Sequence, residues 1–192
     1  MKIVNYPHPA LRHVARPLTA IDQRIHKLVR EMFDLMYAGR GLGLAGPQVE
    51  LPYQVFIMNL KSNPAEPEAE RVWINPVIME RKGSEEGEEG CLSFPGLYAK
   101  VRRAKWIKAQ AYNLKGELEE VSVSDLEARV WQHEVDHLHG DLFIDKMGAI
   151  AKMGVRGDVR RFENDYRKAQ ERGEIPPDAD IETALNELER LA

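Results

Sequence analysis

Cysteine is nearly absent from the chain. Cys91 is the one thiol in 192 residues, so no disulfide can close within it. That suits a reducing compartment. Long apolar runs are missing as well. No window approaches the ~20 apolar residues of a membrane span. The opening MKIVNYPHPALRHVARPL has no apolar core of roughly 7–15 residues such as export signals carry. A cytoplasmic protein with no membrane partner is expected. Charge of one sign is also lacking: the formal net charge is -4, so no basic footprint for specific DNA binding is present. Aromatic residues make up only 7% of the chain, but 43% is hydrophobic and 30% charged, which suits one folded domain of ordinary size.

The patterning that is present alternates between two periods. Ile21, Ile25, Leu28, Val29, Met32, Leu35 and Met36 recur at helical spacing and predict an amphipathic helix to about Ala38, stopped by Gly39, Gly41 and Gly43. YQVFIMNL (53–60) predicts a short apolar strand. RVWINPVIME (71–80) predicts another, split by Pro76, with a surface loop around Pro64 and Pro67 between them. AKWIKAQAYN and ELEEVSVS, joined through Leu114, Lys115 and Gly116, read as a hairpin. Ser124 and Glu127 fit a capping box for a helix running through Val130, His133 and His137 to Gly140. Beyond Lys146 the chain is highly charged. VRRFENDYRKAQER (159–172) predicts a solvated helix, IPPDAD a break, and IETALNELERLA a short amphipathic end. The expected class is α+β.

Three short stretches bear on chemistry. In QHEVDHLHG, His133 and His137 stand one helical turn apart, on one face, and can aim two imidazoles at one point. A metal ion needs that geometry, and Glu134 follows the first histidine, where a carboxylate reaches a water on such an ion. A catalytic site needs a third protein ligand and an open position. His139 is too near in sequence and faces elsewhere. Glu163 qualifies only if the tail folds back. Cys91, in GEEGCLSFPG, is the better candidate, since a thiolate is a strong ligand for zinc or ferrous iron. A lone cysteine is otherwise an ordinary small hydrophobe. GRGLGLAGPQVE (39–50) is glycine-rich enough for backbone to approach a ligand closely. It lacks the Gly-Lys-Ser/Thr ending of a phosphate loop and the spacing of a dinucleotide fingerprint. The acidic run Glu85, Glu86, Glu88 and Glu89 reads mostly as a solvated loop leading to Cys91.

Taken together, GLGLAGPQ (41–48), EGCLS (89–93) and QHEVDHLHG (132–140) resemble the peptide deformylase family in motif, order and approximate spacing. The resemblance covers roughly residues 1–150. It departs at Gly46, where the family usually has a second alanine, a change expected to loosen the backbone slightly. It implies antiparallel or mixed sheets packed around a central helix carrying the H-E-x-x-H pattern, with an N-terminal helix. Residues 151–192 would form a charged, helical C-terminal extension. It also implies an enzyme that removes the formyl group from the N-terminal formylmethionine of nascent polypeptides and releases formate. The matched metal ligands are Cys91, His133 and His137. One divalent ion per chain is implied, ferrous iron physiologically, with zinc or nickel able to replace it.

Residue by residue, the resemblance assigns Glu134 as general acid and base toward a metal-bound water. Gln48 and the Leu92 backbone N–H become donors to the developing oxyanion. Leu42, Gly43 and Gly90 become backbone contacts to the substrate, paired as strands pair. An apolar pocket for the methionine side chain is expected near Gly43, Leu126 and Val130. Arg129 shares the face of His133, either at the rim or paired with a carboxylate. Gln132 and Asp136 are candidates to orient ligands, or are solvated helix positions. The C-terminal helix, with Arg156, Arg160, Arg161, Arg167 and Lys168, would dock on the ribosome, although its interspersed acids equally suit an exposed charged helix. Ile181, Leu185 and Leu188 would pack on the body or mediate self-association, and a monomer is expected. A zinc protease should instead have a downstream third ligand, a non-catalytic descendant should have lost Glu134, Gln48 or a ligand, and a structural zinc site should have a fourth protein ligand.

Overall fold

A computed structural model describes residues 1–190. The first helix, α1 (Gln23–Ala38), starts where the Asp22 carboxylate accepts the Ile25 N–H at 3.0 Å, and it ends at Gly39. It buries Ile25, Val29, Met32, Phe33 and Met36, the stripe its periodicity predicts. The strands β1 (Gly43–Ala45), β2 (Val55–Met58), β3 (Arg71–Lys82), β6 (Trp106–Tyr112) and β7 (Leu118–Ser124) form one antiparallel sheet in the order β1-β2-β3-β6-β7. The strands β4 (Glu85–Gly90) and β5 (Tyr98–Arg103) form a separate antiparallel ribbon. The acidic run is therefore mainly strand, not loop.

The alternation of β2 shows how the layers are held. Val55 and Ile57 pack in the cluster that contains α1, and Phe56 and Met58 in the one beneath α2 (Asp125–Leu138). Successive side chains of a strand point to opposite faces, so all four are buried. Trp131 of α2 lies 4.9 Å from Phe56 and 5.0 Å from Trp73, ring centre to ring centre. Helix α2 is thus the central one, buried at Ala128, Val130 and Trp131 and through much of its last two turns. Pro76 does not end β3. It has no N–H to donate, Asn75 takes a left-handed φ of 51°, and the pairing with β6 shifts register between Ile74 and Val77. The β6–β7 turn forms as expected, with Gly116 at φ 77°.

Two expectations fail locally. Ser124 makes no capping bond; its hydroxyl donates to Asp125 Oδ2 at 2.7 Å. The cause is backbone: β7 runs to Ser124, Asp125 takes φ 55°, and its N–H donates to Lys105 O at 2.8 Å. The tail helix α3 spans Ala149–Glu171, ten residues further upstream than predicted, and it is not solvated all round. Ala151, Val155, Val159 and Phe162 form a helically spaced stripe packed against Leu11, Phe94 and Phe143. Gly154 and Gly157 hide this stripe from propensity alone. The last helix, α4 (Asp178–Glu189), follows the expected break and buries Ile181 and Leu185 in the same cluster. The terminal apolar stripe thus packs on the body.

Candidate active site

The site is built by a ribbon, a helix and an edge strand. Cys91 follows β4 directly, and His133 and His137 come from the inner face of α2. Cys91 Sγ lies 3.3 Å from His137 Nε2, and the ligand atoms of all three residues lie within 4.8 Å of one another. His133 Nδ1 lies 3.0 Å from Glu89 Oε2, which leaves Nε2 for the cluster. Burial disfavours the charged form of His133, but its bonds to Cys91 and Glu89 outweigh this and raise its pKa well above the ordinary value. Burial, together with the charge on His133, depresses His137 well below it. A cysteine sulfur and two imidazoles converging at this range suit zinc or ferrous iron, and ligation through both imidazoles requires both to be neutral. The donor set therefore fits a divalent cation with one position left open.

Glu134 is 4% exposed, and its Oε2 has no hydrogen-bond partner among the described residues. Burial pushes its pKa up to about 7. A carboxyl poised there can exchange protons near neutrality. Gln48 sits in the short turn Gly46–Val49 and is likewise buried. Its Oε1 accepts the Ala45 N–H at 2.8 Å, which turns Nε2 toward Cys91 Sγ at 3.4 Å and Ser93 Oγ at 3.3 Å. Leu92 packs its side chain on the Gly39–Gly41 loop, where a Cβ on either glycine would come within 2.7 Å of it.

Leu42, Gly43, Gln48, Gly90, Cys91, Leu92, His133 and Glu134 all line one cavity of about 570 Å³. Gly43 opens β1, an edge strand, and a Cβ there would sit 2.5 Å from Glu134 Oε1. Glycine is thus what lets backbone approach this carboxylate. The Leu42 carbonyl already accepts the Asn59 N–H at 2.9 Å. Leu126, Val130 and Arg129 line the same cavity. Gln132 binds both polar groups of the Ala104 backbone, at 3.0 and 2.9 Å, and so ties α2 to the end of the ribbon. Asp136 pairs with Arg103. His139 caps the end of α2, and Glu163 accepts the Tyr6 hydroxyl proton at 3.2 Å, so neither joins the cluster.

Sequence reasoning missed Glu89 and Arg103. Glu89 is 6% exposed and Arg103 7%. Arg103 donates to both Glu89 oxygens at 2.9 Å, while Arg129 donates to Oε1 at 2.7 Å. Burial works to raise the pKa of Glu89, but its bonds with His133 and Arg103 outweigh this and hold it far below the usual carboxylate range. The available signal was strand alternation: in a strand that pairs with Tyr98–Arg103, every second position faces one side, and on that side Glu89 is the buried glutamate.

An α+β chain that gathers a cysteine sulfur, the two imidazoles of an H-E-x-x-H helix and a buried carboxylate at one cleft has the make-up of a hydrolase with a metal site. Comparison with known proteins defines the family. The profile described as Polypeptide deformylase matches residues 1–153. The peptide deformylase of Rhodopirellula baltica is 38% identical over 191 residues, 100% of this chain and 94% of its own length. That of Neisseria gonorrhoeae is 41% identical over 161 residues, 84% and 95% of the two chains. The Plasmodium falciparum peptide deformylase crystal structure superposes with a TM-score of 0.85 at 38% identity, covering 87% of this chain and 98% of that one. An Arabidopsis thaliana peptide deformylase gives 0.83 at 40% identity, with 88% and 93% covered. The chain belongs to the polypeptide deformylase family and is a hydrolase.

Proposed function

We propose that the chain hydrolyses the formyl amide of N-terminal formylmethionine on nascent polypeptides, giving formate and a free amino terminus. The observation that carries this reading is the cluster of Cys91, His133 and His137 at a cavity lined by Cys91, His133, Glu134 and Gln48. Cys91, His133 and His137 would hold one divalent cation, ferrous iron in the cell, with zinc or nickel as substitutes. When bound, such a cation supplies Lewis-acid polarisation of the formyl oxygen and of an attacking water. Glu134 takes the proton of that water and delivers it to the departing amine nitrogen. Its unpartnered Oε2 and a pKa raised to about 7 suit both halves of the transfer. Gln48 Nε2 and the Leu92 N–H donate to the oxygen that gains charge, and an amide does so without adding a titrating group.

Leu42, Gly43 and Gly90 line the cavity, and the open edge of β1 there receives the substrate backbone as an added strand, a contact that reads no side chains. Gly43, Leu126 and Val130 give the methionine side chain its apolar surroundings. Residues 1–150 act as the catalytic unit, working in the cytoplasm as a monomer. On α3, Lys152, Arg156 and Arg160 are exposed, and this basic face is suited to ribosomal RNA phosphates. No helix among the described residues is long and apolar enough to cross a membrane.

The test is formate release from formyl-Met-Ala-Ser by anaerobically purified, metal-quantified protein. Wild type should release formate. Glu134→Ala should lose about 10²–10⁴-fold in rate while keeping its metal, the usual worth of general acid–base catalysis. No release by metal-loaded wild type would refute the reading.

A further inference from the structure

Helix α2 presents Arg129 one turn before His133, with its side chain only 13% exposed. Its guanidinium bonds almost wholly to the ribbon that leads to Cys91. Nη1 donates to Glu89 Oε1 at 2.7 Å, Val101 O at 3.0 Å and Gly87 O at 3.4 Å, and Nη2 donates to Glu85 O at 3.1 Å. Gly87 is part of this fit. A Cβ there would stand 2.7 Å from Nη2 and 2.9 Å from Cζ, so the guanidinium lies against bare backbone. Arg103 and Gln132 also join helix and ribbon, but they do so at Asp136 and Ala104. Among the described residues, Arg129 is the one α2 side chain that bonds the backbone of β4.

This matters because the ligands are divided between these elements. Cys91 directly follows β4, which among the described residues pairs only with β5 and with no strand of the larger sheet. His133 and His137 ride on α2. The span from thiolate to imidazoles therefore depends on side chains that bridge ribbon and helix. The same ribbon supplies the Glu88–Gly90 wall of the cavity.

We propose that Arg129 is a positioning residue that sets the separation of the Cys91 ribbon from the His133 helix, and with it both the three-ligand geometry and the width of the substrate cleft. A guanidinium suits this task because its planar fork addresses several carbonyls at once. Lysine at the same place reaches fewer of them, and leucine none. Gly87 is the complementary half: any side chain there pushes the fork out of its seat.

The inference about the cleft rests on the deformylase reading, but the metal-site half does not, and the experiment separates them. Arg129→Leu, Arg129→Lys, Gly87→Ala and the Gly87→Ala/Arg129→Leu double variant are loaded with cobalt(II) alone. Thiolate-to-cobalt and ligand-field absorption are recorded, cobalt affinity is measured by chelator competition, and kcat and KM are measured on formyl-Met-Ala-Ser. Arg129→Leu should alter the cobalt bands, weaken cobalt binding about 10–100-fold and raise KM. Arg129→Lys should recover part of each loss. Gly87→Ala should reproduce the defect alone and add little in the double variant. Unchanged cobalt bands and affinity in Arg129→Leu, or fully additive single effects, would overturn the proposal, as would a loss confined to thermal stability. Should Arg129→Leu fail to fold, Arg129→Lys and Gly87→Ala carry the same comparison. Wild type that binds cobalt normally but releases no formate would refute the deformylase reading and leave the cobalt comparison to decide Arg129.

Discussion

At the scale of single residues, Glu89 links more of the site than any residue its motif advertises. One buried carboxylate faces two guanidiniums and an imidazole, with Arg103 at 2.9 Å, Arg129 at 2.7 Å and His133 at 3.0 Å. Removing one partner of a buried ion pair costs far more than the pair contributes, because the remaining charge stays desolvated. Glu89→Gln keeps the shape and removes the charge that both arginines face. It should destabilise the metal-free protein by about 3–5 kcal/mol. It should also weaken metal binding about 10–100-fold, since the charged acceptor that orients the His133 ring becomes a neutral amide whose single oxygen must also serve Arg103. Urea unfolding and chelator competition measure the two effects separately. Unchanged metal affinity in a folded Glu89→Gln protein would show that the ring is held by packing alone.

At the scale of elements, legibility followed periodicity. The stripe of α1 and the one-turn spacing of His133 and His137 are local patterns, and both elements formed where the spacing predicts. What escaped depends on contacts distant in sequence. The run Glu85–Gly90 looks solvated until its pairing with Tyr98–Arg103 turns Glu89 inward. Ser124 looks like a cap until the chain's return past Lys105 claims the next N–H. The glycine at 46 is a third case. Read alone, it loosens the backbone relative to alanine. In the fold, a Cβ at 46 would stand 2.8 Å from Tyr53 O and 2.9 Å from Leu51 O, so the turn holding Gln48 is closed tightly on backbone. Carbonyls in a neighbouring segment cannot swing aside as a side chain can. Gly46→Ala should therefore destabilise the chain by about 1–3 kcal/mol, the usual cost of overpacking, although alanine is ordinary at this place in the family. Chemical unfolding of Gly46→Ala checks this, and equal or greater stability would mean that the Leu51–Tyr53 segment yields.

At the scale of the molecule, the third core cluster joins the two ends of the chain. Val4, Ala10 and Leu11 from the beginning meet Phe94, Phe143, Ile181 and Leu185. Polar ties reinforce this contact. Tyr53 Oη donates to Leu188 O at 2.8 Å, His13 lies 2.7 Å from Glu189, and Tyr166 donates to Asp178 at 2.8 Å. None of these α4 residues lines the cavity. The last helix should therefore matter to stability and not to chemistry. Burying two large aliphatic side chains is worth about 3–6 kcal/mol at most. That burial, the polar ties and the helix's own hydrogen bonds together oppose the entropy of ordering the segment, and a small net contribution of about 2 kcal/mol is expected. Deleting residues 173–192 should then lower Tm by about 4–8 °C in a chain of this size. Formate release at a temperature where both proteins are folded should stay within about twofold, since a structural loss remote from the cleft leaves transition-state contacts intact. An unchanged Tm would show that α4 is merely appended. A folded but inactive deletion would show that the end of the chain supports the cleft through Phe94, which packs against Phe162 of α3 and lies in the same loop as Cys91.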